Sequence, residues 1–251
     1  VDNATKRSLK KPDQFVALTE TGVHWAGEHR QKTIVAAVTL VLVVVAIVGG
    51  YSFYEHRSTE AATAFGSAMQ VYQTPIASPT QPVPPGMKTF KSAKDRAAAA
   101  NAQFVQVASQ YGLTKDGKLA NYFAGLTYMD EGQNGPAEEA LKKTASSWDS
   151  GLAALGKSSL AELYQQTNRD AQAIDLYNEL AKGNATTFPP TLAKLQLAEL
   201  YQSQGKTEDA RRIYAQLKDS DKDAKGKPGP ASLIASEKLN PKAATPGIQA
   251  Q

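Results

Sequence analysis

Between Thr33 and Tyr54 the chain runs for 22 residues without a charged side chain, and Ile34 to Val48 is Val, Ala, Leu and Ile broken only by Thr39. At ~1.5 Å per helical residue this stretch reaches ~33 Å, enough to cross a hydrocarbon core of ~30 Å. In water so many β-branched residues favour a strand, but in lipid a lone segment satisfies its backbone only as a helix. The pattern predicts one transmembrane helix over residues 33–54 in contact with the lipid bilayer, with Trp25 near one interface and Tyr51, Phe53 and Tyr54 at the other. A cleaved signal peptide has a short basic start and an apolar core of ~7–15 residues. Here 32 residues precede the core, and the small-residue triplet Ala62-Thr63-Ala64 lies well past it, so an uncleaved anchor is expected. Lys6, Arg7, Lys10, Lys11, Arg30 and Lys32 precede the span, against Arg57 just after it. That asymmetry predicts a cytoplasmic basic tail over 1–32 and an exported carboxy-terminal part.

The absence of cysteine excludes disulfides, thiolate metal sites and thiol nucleophiles. The formal charge of +4 divides equally between residues 1–32 and the remainder. A body of mixed signs so close to neutrality lacks the electrostatic footprint of a nucleic-acid binder, and none is expected.

Past the span, Ala61, Ala64, Phe65, Ala68, Met69 and Tyr72 recur at helical spacing, predicting a membrane-exit helix over 55–74. Five prolines (Pro75, Pro79, Pro82, Pro84, Pro85) then mark a stiff spacer over 75–91. Ala97, Ala100, Phe104, Val107, Ala108 and Tyr111 predict another helix. Three later segments align on Tyr128, Tyr164 and Tyr201, at periods of 36 and 37 residues. Three positions before each tyrosine stands Gly125, Ala161 or Ala198; four after it, Gly132, Asn168 or Gly205; nine after it, Ala137, Ala173 or Ala210. Leu141, Tyr177 and Tyr214 follow four residues later. Small residues where helices cross, large ones beside them and a turn residue between are what stacked helical hairpins require.

The series resembles the tetratricopeptide repeat over about residues 95–218, without the early tryptophan of the consensus. The fold class expected is all-α: one amino-terminal transmembrane helix followed by a tetratricopeptide-like helical-hairpin solenoid over 92–218. Lys, Asp, Gly, Pro and Ala dominate beyond it, predicting a mostly disordered tail over 219–251 with at best a short helix at 231–239.

No catalytic, cofactor or metal site is expected. Gly151 to Ser158 matches the phosphate-loop pattern, but the preceding Ala145 to Ser150 reads as the end of a repeat helix rather than a buried strand. His24 and His29 lack a preorganised third ligand, and His56 stands alone beyond the span, so no Ser-His or Cys-His nucleophile system is expected in the exported domain.

The repeat resemblance implies a concave surface lined by the first helix of each unit. Carried over by register, its exposed positions are Tyr122, Leu126, Met129 and Asp130; Ser158, Glu162, Gln165 and Gln166; and Leu195, Glu199, Gln202 and Ser203. None is basic, unlike the Lys and Asn positions of repeats that clamp acidic carboxy-terminal peptides. Tyr122, Leu126 and Met129 suit unfolded apolar chain or, equally, packing against the preceding helix. The order of basic tail, span, Tyr51-Ser-Phe-Tyr-Glu-His-Arg57 exit, Ala-rich helix and repeats resembles the bacterial ancillary SecYEG translocon subunit family, the YfgM-like proteins. That resemblance implies an inner-membrane adaptor whose periplasmic repeats meet the SecYEG translocon, periplasmic chaperones or exported chains. A scaffold for another envelope complex is the alternative, and an enzyme a third.

Overall fold

The computed structural model describes residues 30–77, 86, 88–222 and 225–240, and within them every regular element is a helix. The expected tail before residue 30, four of the five spacer prolines and residues 241–251 lie outside the described residues. The chain divides between His56 and Arg57 into two units.

The first helix, α1 (Arg30–Tyr72), is one continuous element of 43 residues. The span and the exit segment, expected as separate helices, are joined because nothing between Tyr54 and Tyr72 interrupts the backbone ladder, and the next proline is Pro75. In its first unit the apolar side chains from Ile34 to Val48 are exposed, and α1 is long and apolar enough to cross a membrane. Thr39, the one hydroxyl in that run, donates to the carbonyl of Val35 at 2.8 Å, so the helix satisfies its own polar group.

The second unit begins at Arg57 and contains the rest of α1, then α2 (Ala93–Gln110), α3 (Lys115–Glu131), α4 (Asn134–Ala145), α5 (Ser150–Gln166), α6 (Asp170–Lys182), α7 (Pro190–Ser203), α8 (Thr207–Ser220) and α9 (Pro230–Leu239). From α2 to α9 each helix packs chiefly on its neighbours in sequence, so the apolar interior is a row of clusters. Ser92, Thr114 and Asp149 cap α2, α3 and α5 by accepting from the amides of Asp95, Gly117 and Leu152.

The repeat register is visible in the turns. Gly132, Asn168 and Gly205 hold φ of 78°, 56° and 74°, the left-handed conformation that stops a helix. One residue on, the amides of Gln133, Arg169 and Lys206 donate to the carbonyls of Tyr128, Tyr164 and Tyr201 at 2.8, 2.7 and 2.9 Å. The three aligned tyrosines are thus the residues whose carbonyls close the turns. Ala137, Ala173 and Ala210 are buried at the crossings, and a Cβ on Gly125 would lie 2.7 Å from Leu141 Cδ2. The phosphate-loop look-alike is helical: it forms the start of α5, and a Cβ on Gly156 would stand 2.5 Å from the Ala145 nitrogen of α4. Glycine there serves a close helix crossing.

Both ends of the expected solenoid extend further than composition indicates. Phe65 and Tyr72 of α1 surround the stacked pair Phe104–Phe123, whose ring centroids are 5.3 Å apart, with four further centroid separations of 5.6–6.1 Å. The α1 segment from Arg57 therefore forms a hairpin with α2. The described ends of the expected spacer are tied together: Ala77 donates to the Phe90 carbonyl at 2.8 Å and Phe90 to that of Pro75 at 3.0 Å. At the other end, the short helix allowed for at 231–239 is present as α9 and packs on the stack. There α9 buries Ala231, Ser232 and Ala235 against Leu195, Tyr214 and Leu217. Ser232 donates to the Lys218 carbonyl at 2.9 Å, and Asp221 accepts from the Ser232 amide at 3.0 Å. The last hairpin of a solenoid exposes an apolar flank, and α9 covers it.

Candidate protein-binding groove

The expected groove positions fall on α3, α5 and α7, one repeat apart. Ser158, Glu162, Gln165 and Gln166 of α5 line one cavity of about 510 Å³ together with Tyr177 of α6, Phe188 of the following loop and Gln196 of α7. It contains one of two pairs that recur between repeats. Gln165 donates through Nε2 to the Tyr177 hydroxyl at 2.7 Å, and one unit later the Tyr214 hydroxyl donates to Gln202 Oε1 at 3.1 Å. Burial, with Glu162 nearby, pushes the Tyr177 phenol up to about 12, and burial with Glu199 raises that of Tyr214. Both phenols thus keep their protons and serve as neutral hydrogen-bonding groups beside two carboxylates.

The remaining expected positions are distributed differently. Glu162 and Gln166 are exposed, bonded to one another at 3.4 Å. Glu199 accepts from Gln196 at 3.3 Å and lies 3.9 Å from the Lys238 ammonium of α9. The hydroxyls of Ser158 and Ser203 return to the carbonyls of Leu155 and Leu200 within their own helices. Tyr122 and Met129 are half-buried against the central cluster, the Tyr122 hydroxyl 3.2 Å from Ser159 Oγ. Leu126 is half-buried on α3. Asp130 bonds to Tyr72 of α1 and faces Arg96 of α2; burial raises its carboxyl despite those partners. Leu195 is corrected outright: it is 5% exposed in the cluster beneath α9 and lines no surface.

The groove is consequently partitioned. On α3 Asp130 meets Tyr72 of α1, whereas the α5 positions open into a cavity with amides, a phenol and the Glu162 carboxylate. Tyr177, Phe188 and Gln196 escaped the register argument because they come from a second helix, a loop and the next unit. The signal for Tyr177 was present, since Tyr177 and Tyr214 hold the same repeat position.

The units are fastened to one another behind this face. Glu138 of α4 meets Lys142 at 2.7 Å, Arg169 at 2.8 Å and the Tyr164 hydroxyl at 3.1 Å, while the Arg169 guanidinium lies 4.3 Å above the Tyr164 ring. The Lys142 bond foremost, with those from Arg169 and Tyr164, lowers the Glu138 carboxyl to about 2.

A family model described as a tetratricopeptide repeat-like domain matches residues 25–234. Among solved structures, the chain is similar to the nearly identical TPR-like repeats of a Podosopora anserina protein assigned as a kinesin light chain. The identity is 16% and the TM-score 0.52, over 74% of this chain and 85% of the other, a likeness of fold alone. Comparison with curated proteins gives no significant match.

Proposed function

The chain belongs to the tetratricopeptide repeat-like domain family, and from that premise we propose that it is a non-enzymatic, membrane-anchored adaptor serving protein export at the Sec translocon. Repeats of this kind are protein-interaction scaffolds, built to present a continuous concave face. The observation that carries the proposal is the cavity of α5, where exposed Glu162 and Gln166 stand above the Gln165–Tyr177 pair. It offers acceptors and amides to a backbone in extended conformation, and its carboxylate favours basic side chains. The apolar run of α1 supports anchoring in the bilayer, and the lysines and arginines before it support a cytoplasmic amino terminus. The resemblance of the whole order of segments to the ancillary SecYEG subunit family supports the translocon as the place of action.

Photo-crosslinking groups at Met129 and Glu162 in living cells test this reading. Capture of SecY or nascent exported chains is expected, more strongly from Glu162, and Glu162→Lys should abolish capture at neighbouring Gln166. A single stable complex containing neither SecY nor exported chains would overturn the translocon assignment in favour of a scaffold for another envelope assembly.

A further inference from the structure

Two large apolar side chains stand almost free at the loops that join one hairpin to the next: Leu113 between α2 and α3, and Trp148 between α4 and α5, each 87% exposed. They belong to one edge. Gly112, beside Leu113, lines the same cleft of about 160 Å³ as Trp148, Lys118 and Lys143. The Lys118 ammonium sits 4.9 Å from the Trp148 ring centroid, and Lys115 is exposed at the start of α3. Asp116 and Asp149 are the acidic residues of these loops and adjoining first turns, and Asp149 is engaged as the cap of α5. The turns at the opposite ends of the hairpins carry Gly132-Gln133, Asn168-Arg169 and Gly205-Lys206 instead.

One contact ties this edge to the first residue of the second unit. The Arg57 guanidinium donates to the carbonyl of Gln110 and lies 4.6 Å from the Tyr111 ring centroid, so the Leu113 loop is held to the residue three positions after Tyr54 in the chain. Tyr54 closes the uncharged run. Tryptophan and leucine beside lysines suit the headgroup boundary, where the rings are half wetted and the ammonium groups reach phosphate.

We propose that the Leu113–Trp148 edge is a lipid-contact surface, the two side chains entering the leaflet from which α1 emerges while Lys115, Lys118 and Lys143 meet anionic headgroups. The inference rests on α1 spanning the bilayer, and the test separates the two. The full chain carrying Trp25→Phe, with Trp148 as its sole indole, is reconstituted in mixed phosphatidylethanolamine–phosphatidylglycerol vesicles containing nitroxide-labelled acyl chains. Shallow nitroxides should quench Trp148, and its emission should shift to the blue relative to the chain in detergent-free amphipathic polymer. A second chain, with Trp25→Phe, Trp148→Phe and Val44→Trp, reports on the span through deep nitroxides. Quenching of Val44→Trp with a water-like, unquenched Trp148 overturns the lipid contact alone and leaves that edge to a protein partner. Loss of quenching at both positions overturns the anchoring reading and this inference with it.

Discussion

Ala173 is completely buried while its neighbour Gln172 is exposed, so adjacent positions on α6 should respond oppositely to the same substitution. Ala173→Leu should overpack the α5–α6 crossing by about 1–3 kcal/mol, whereas Gln172→Leu should change stability by less than about 0.5 kcal/mol. Urea melts of the chain from Arg57 onward make the comparison; coincident midpoints would invalidate the crossing. Glu138 gives a test in pH. Its folded value of about 2 lies below the ordinary 4.5, so its stabilisation is complete above 4.5 and declines as pH falls toward 2. Glu138→Gln should therefore destabilise at neutral pH and flatten the pH dependence of the melting temperature across that acidic interval. The crossing residues were legible in the sequence because close helix approach demands a small side chain at a fixed spacing. Leu195 was misread as free surface because its surroundings depend on α9, an element far along the chain.

At the scale of elements, the helices in repeat register were visible as a stack, whereas the exit helix and the short helix at 231–239 were legible as helices but not as parts of it. The place of α9 in the stack was obscured by the Lys-, Gly- and Pro-rich turn before it, whose composition dominates any window that includes it. Its role makes a sharp prediction: Ala235→Arg, at a completely buried position, should cost about 2 kcal/mol or more, and Leu233→Arg, at a 59% exposed one, almost nothing. Hydrogen exchange should localise the loss in Ala235→Arg to α7, α8 and α9, and uniform loss across α3 to α6 would contradict a local cover. The exit helix was read apart from the repeats because periodicity shows which face of a helix is apolar without showing what it meets. Only the aromatic cluster of Phe65, Tyr72, Phe104 and Phe123 makes it part of the repeat stack.

For the whole molecule, the orientation proposed from charge asymmetry is open to a clean measurement, because the chain has no native cysteine. Single cysteines at Ser8 and Ser203 are treated with an impermeant maleimide in cells permeabilised only at the outer membrane. Ser203→Cys should label and Ser8→Cys should not; the reverse pattern would invert the topology. The sequential packing of the hairpins also bears on how the molecule comes into being. Since each helix finds its main partner next to it in the chain, a hairpin can settle as soon as its own residues have emerged, without waiting for a distant segment. A polypeptide delivered from its amino terminus can thus assemble in the order of delivery. The interface of α7 and α8 with α9 then stays open until residues 230–239 arrive, making α9 the helix that locks the described stack.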